Sequence, residues 1–127
     1  GANTVDVAIY PKTEVDNQGN FLTGEHSYIL HFDSFPPVLE GGFWSITAYG
    51  EDDLLIDNPL NRYCINDRSD LKINADGTVD IVLAQQAPEN ITNWLPVSKG
   101  RFHLFMRIYT PDMQALSKWI APTIILK

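Results

Sequence analysis

The chain predicts an all-β fold, a two-sheet antiparallel β-sandwich of about eight strands. Short runs of alternating or β-branched residues recur along its 127 residues, each closed by Pro, Gly, Asn or Asp. Helical periodicity is nearly absent, and no helix is long enough for the crossover a parallel sheet requires. No apolar stretch approaches the roughly 18 residues of a membrane span. With 44% hydrophobic and 20% charged residues, this is the composition of a soluble globular domain, expected without membrane insertion. One domain, residues 1–127, fits this length and a second does not.

The elements follow in order. Val5, Val7 and Ile9 alternate with Asp6, Ala8 and Tyr10 and stop at Pro11, as an edge strand does. Residues 16–20 (DNQGN) form a turn, because Asn and Gly tolerate positive φ. Residues 26–32 form a strand with Tyr28, Leu30 and Phe32 on one face. Pro36 and Pro37 cannot donate to a ladder, so residues 35–39 are expected to run as a stiff apolar connection suited to an interdomain contact. In the strand at 43–49, Trp44, Ile46 and Ala48 face opposite to Phe43, Ser45, Thr47 and Tyr49. Residues 51–53 (EDD) read as a solvated turn, and Asn58-Pro59 bends the chain before a strand at 62–66.

Asp76-Gly77 lies between β-branched runs at 71–75 and 78–84, which predicts a two-residue type I′ hairpin turn with positive φ at both positions. Residues 85–93 form a polar connection. The most regular strand is 102–109, with Phe102, Leu104, Met106 and Ile108 inward and His103, Phe105, Arg107 and Tyr109 on the second face. One helical turn at 112–116 and a last strand at 123–126 complete the pattern.

The formal charge is −7, from 16 acidic and 9 basic residues. Such a domain repels phosphate backbones and anionic lipid, so nucleic acid is not expected as a partner. Cys64, the sole cysteine, allows no disulfide within the chain and is expected as a buried strand thiol. His26, His31 and His103 lack the grouping of a metal site, although His31 and His103 are on strands that could meet across sheets. There is no Gly-rich phosphate loop, and no cofactor is expected. Gly41 and Gly42 precede Ser45 with no glycine after it, which is not a nucleophile elbow.

The candidate binding residues are Arg62, Tyr63, Asn93, Trp94, Arg107 and Tyr109. Each Arg sits in an apolar strand. Its guanidinium is either held by a carboxylate such as Asp57 or Asp67 or lines a cleft as a clamp for an anionic group, with a Tyr as donor or acid. Trp94 either plugs the end of the sandwich, with Asn93 bonded to loop backbone, or forms a platform for a sugar ring with Asn93 supplying hydrogen bonds.

Five phrases carry a family resemblance: FWSITAY at 43–49, NPLNRYCINDR at 58–68, NADGT at 74–78, NWLP at 93–96 and RIYTP at 107–111. In this order, over residues 7–126, the chain resembles the family known as domain of unknown function 1214. The resemblance implies a jelly-roll-like sandwich, and a domain that follows an upstream region, domain of unknown function 1254, in a longer polypeptide. The start at Gly1-Ala2-Asn3, without Met or an apolar leader, agrees with a domain excised from the C-terminal part of such a two-domain protein. A signal region would lie outside it, so export stays open.

Three functions fit. The first is a structural or interaction module packed against the upstream domain. The second is a carbohydrate-binding module using Trp94, Trp119 and the tyrosines. The third is half of a polysaccharide-acting enzyme, in which Arg62, Tyr63, Asn93 and Arg107 serve a β-elimination of the lyase type. Homo-oligomerisation stays open in all three.

Overall fold

Trp44, Ile46 and Ala48 on one strand and Tyr28, Leu30 and Phe32 on another, each set separated by more exposed neighbours, become the facing walls of one core. The computed structural model describes residues 7–10, 12–52 and 64–127. The strands are β1 (Val7–Ile9), β2 (Tyr28–Phe32), β3 (Val38–Gly50), β4 (Cys64–Asn66), β5 (Val79–Ala84), β6 (Trp94–Pro96), β7 (Phe102–Pro111) and β8 (Thr123–Leu126). They form two four-stranded sheets, in the orders β1-β7-β3-β4 and β6-β5-β2-β8. The result is a β-sandwich in which the chain passes repeatedly from one sheet to the other, as in a jelly roll. Among the described residues helix is limited to α1 (Met113–Leu116), capped by the Asp112 carboxylate, and a 3-10 turn at Ile91–Asn93. No helix among them is long and apolar enough to cross a membrane.

The inner faces follow the alternation of the sequence. Sheet one contributes Trp44, Ile46, Ala48, Ile65, Phe102, Leu104, Met106 and Ile108, and sheet two contributes Tyr28, Leu30, Phe32, Val79, Ile81, Leu83, Leu95 and Ile124. Burying each of the larger side chains contributes about 1.5–3 kcal/mol. β3 and β7 pair from Phe43↔Tyr109 to Gly50↔Phe102 without a break and form the spine of sheet one.

Four expectations need correction. First, β3 begins at Val38, which pairs with Pro111 across a bulge that ends at Phe43. Gly41, at φ 81, and the tight approach of Gly42 to the Tyr109 carbonyl make that bulge possible. Phe35 packs inward, its ring 5.1 Å from Trp44 and 5.8 Å from Phe32, and extends the core. Of the apolar residues at 35–39 only Leu39 is exposed.

Second, residues 71–75 are not a strand. Gly77 N–H donates to Asn74 O and Asn74 N–H to Thr78 O. Gly77 is at φ 87 and Asp76 is not at positive φ, so a tight turn closed by a bulge glycine replaces the type I′ form. The Asp76 carboxylate accepts from both the backbone and the hydroxyl of Thr78, which lowers its pKa from 3.8. The two neighbours of β5 are β2 and β6, which leaves no ladder position for the preceding segment.

Third, β6 pairs with β5 in parallel, so sheet two is mixed. Fourth, Cys64 is only half-buried, because in β4 it is Ile65 that enters the core. Arg62, Tyr63 and the Asn58-Pro59 bend lie outside the described residues.

Candidate functional site

The sequence-derived candidates separate onto two sheets. Arg62 and Tyr63 are outside the described residues. Asn93 and Trp94 belong to the β6 side of sheet two, whereas Arg107 and Tyr109 project from the outer face of sheet one. Asn93 is 7% exposed, and its amide is consumed by backbone. Its Oδ1 accepts from Lys72 N–H at 2.7 Å, and its Nδ2 donates to Lys72 O at 2.9 Å and Asp80 O at 3.0 Å. Trp94 is 3% exposed, with its indole N–H donating to Ala84 O at 2.9 Å. A ring buried to this degree offers no platform for a sugar. Trp119, the second platform candidate, donates to Ser34 O and meets Tyr10 edge-on.

Arg107 and Tyr109 stand instead in an apolar field. Cross-strand partners share a face of a sheet, so the register orders the outer face of sheet one into rows. Val7, Tyr109 and Phe43 form one row, and Ile9, Arg107, Ser45 and Asn66 the next. Phe105, Thr47 and Cys64 follow, and then His103 beside Tyr49. Phe43 and Tyr109 stack at 4.3 Å and 17°. Tyr49, His103 and Phe105 form a second aromatic group with centroids 5.6–5.7 Å apart. Val7 is 41%, Ile9 64% and Phe43 43% exposed.

Arg107 is the one Lys, Arg, Asp or Glu side chain in these rows among the described residues. Its guanidinium lies 5.5 Å from the Phe105 ring, the span of a cation–π contact. Among the described residues it has no hydrogen bond or ion pair, and Asp67 does not hold it; Asp57, the other carboxylate expected to, lies outside the described residues. The carboxylate-held form expected as its structural alternative is therefore not what the described residues show.

β1 was the missed contributor, because its branched side chains Val7 and Ile9 point outward while Ala8 and Tyr10 pack on the core. The usable signal was FHLFMRIY at 102–109, a strand apolar on both faces. Such strands belong to sheets covered on both sides.

Two other features are separate from this face. His31 lies on the outer face of sheet two, on the far side of the sandwich from His103, so the two do not meet. Its Nδ1 is 2.6 Å from Asp80 and its Nε2 3.2 Å from Asp33. The hydrogen bond to Asp80 raises its pKa above 6.5, against a smaller opposing effect of burial. On the flank of the sandwich a groove of about 510 Å³ runs between the sheets, floored by Leu30, Ile46, Leu104, Met106 and Ile124. Its mouth carries the Lys12–Glu14 ion pair at 3.2 Å. Among the described residues no group of three or more His, Cys, Asp or Glu could hold a metal.

The sandwich and its sequence are those of a known class. Residues 7–113 match the family described as Protein of unknown function (DUF1214), and the chain belongs to that family. It superposes on the crystal structure of the VPA0106 protein from Vibrio parahaemolyticus with a TM-score of 0.80 and 32% identity, over 95% of this chain and 30% of that one. A putative uncharacterized protein from Burkholderia cenocepacia shares the fold at a TM-score of 0.63 and 17% identity, over 97% of this chain and 29% of that one. The chain thus spans about 30% of the length of these structures. No curated protein matches it.

Proposed function

We propose that this domain is an interaction module, and that the outer face of sheet one is covered by another domain of the same, longer polypeptide. The observation that carries this is the exposure of Val7, Ile9 and Phe43 in contiguous rows with Tyr109 and Phe105. Branched and aromatic side chains grouped on one sheet face mark a surface that another body covers. That the chain spans about 30% of the matched structures supports a partner within the same polypeptide. The carbohydrate-binding and lyase readings lose support from Trp94 and Asn93, which are buried and bonded to backbone; Arg62 and Tyr63, on which the lyase reading also drew, lie outside the described residues.

Hydroxyl-radical footprinting of Ile9, Phe43 and Tyr109 tests the proposal, comparing the 127-residue chain with the full-length polypeptide. Strong protection in the longer protein is expected. Equal labelling in both would refute it. A 127-residue chain that sediments as a dimer, with the same residues protected, would assign the face to a second copy instead.

A further inference from the structure

We infer that the surface covering this face presents a carboxylate to Arg107. This rests on the docking proposed above and adds the chemistry of the partner. Arg107 sits in the middle of the apolar rows, with Ile9 and Ser45 as its cross-strand partners and Phe105 as its nearest aromatic face. Arg107 is half-buried in the isolated domain. No described side chain pairs with it.

Covering the face excludes water from it. A guanidinium does not shed its proton on burial as a lysine can, so it must be given acceptors or remain as an unpaired buried charge, the costliest outcome in a protein interior. Among the described residues the rows around it supply no opposite charge: Ser45 and Asn66 are neutral, and no ion pair joins Glu40 to it. The acceptor therefore comes from the other side. A carboxylate fits the planar fork of the guanidinium with two parallel hydrogen bonds, which fixes the register of docking. The net charge of −7 sharpens the point. A partner that brings an acidic group toward this domain is repelled over most of its surface, and Arg107 marks a place of local complementarity.

The test uses the full-length polypeptide, with footprinting of Phe43 as the readout. Arg107→Met is expected to weaken the protection of Phe43 at pH 7 by about tenfold or more. Arg107→Lys should retain part of it. Protection in the wild type should fall as the pH drops through the carboxylate range, and in Arg107→Met it should not. Phe43→Asp separates the two ideas. If Phe43→Asp exposes Tyr109 while Arg107→Met leaves protection unchanged or stronger, the docking stands and the carboxylate is overturned. If the face is labelled equally in the full-length protein and the 127-residue chain, the docking fails and this inference fails with it. An unchanged unfolding midpoint of Arg107→Met in the 127-residue chain establishes that any loss is one of docking.

Discussion

Replacing Asn93 by alanine removes one side chain that fastens residues 71–74 to β5. Its three backbone hydrogen bonds, to Lys72 N–H, Lys72 O and Asp80 O, have lengths of 2.7–3.0 Å at a position 7% exposed. Each is worth about 0.5–1.5 kcal/mol net, and partner groups left buried without water cost more, so the loss should be about 2–4 kcal/mol. Asn93→Asp keeps the shape but not the chemistry. Its carboxylate still accepts from Lys72 N–H, yet it sets negative charge against the carbonyls of Lys72 and Asp80, so at pH 7 it should cost at least as much as alanine. Urea unfolding followed by tryptophan fluorescence gives both values by linear extrapolation. Hydrogen exchange at the Lys72 amide should quicken in both variants. A loss below about 0.5 kcal/mol for Asn93→Ala, the range of neutral surface changes, would refute the clamp and return Asn93 to the list of groups free to bind a ligand.

Three further outcomes are expected. Cys64→Ser should cost less than about 1 kcal/mol in urea unfolding, because the thiol is half-buried outside the core and its polar contact is a 3.8 Å approach from Asn66 Nδ2; a loss above about 2 kcal/mol would place it in the core after all. His31 has a folded pKa raised above 6.5, so its stabilisation is fully present below pH 6.5 and is lost as pH rises through the raised value. With side chains 31% and 43% exposed in the pair with Asp80, the effect should be about 0.2–1 kcal/mol, seen as a gap between wild type and His31→Gln that closes toward pH 8 and would contradict the assignment by widening. Gly24→Ala would set a Cβ 1.6 Å from the Ser98 carbonyl oxygen and should cost about 2–3 kcal/mol, whereas Gly77→Ala meets open space and costs about 1 kcal/mol through its φ of 87; calorimetry should rank them in that order.

β2, the regular part of β3 and β7 were legible because one face of each is buried, and burial of one face imposes alternation. β6 was not, since Trp94, Leu95 and Pro96 are all buried and a three-residue run without alternation has no period to detect. Its parallel direction depends on where the chain re-enters sheet two after residue 93, which no local pattern encodes. The Asp76-Gly77 pair announced a turn but could not choose its form, which is set by the hydrogen bonds around Asn74 and Thr78. The candidate residues share a hydrogen-bonding and stacking chemistry, and chemistry does not reveal which sheet a residue joins. Arg107 and Tyr109 were correctly placed on the second face of their strand. That Asn93 and Trp94 would turn inward on the other sheet follows from topology, beyond the reach of spacing.

The interleaving of the two sheets also governs how the chain must fold. Sheet one takes its strands from the beginning, the middle and near the end of the chain, and sheet two takes three strands from the stretches between them and its fourth, β8, from the C-terminal end. No continuous half of the sequence contains a complete sheet, and the β3–β7 spine cannot form until all of residues 51–101 have been looped out. Loop closure of that length precedes any reward from the ladder, so refolding is expected on the slow, millisecond-to-second side of single-domain rates. During synthesis the spine must wait for β7 to emerge, and until then β3 lacks the strand that pairs with it along most of its length, with β4 pairing with it only at Ser45–Thr47.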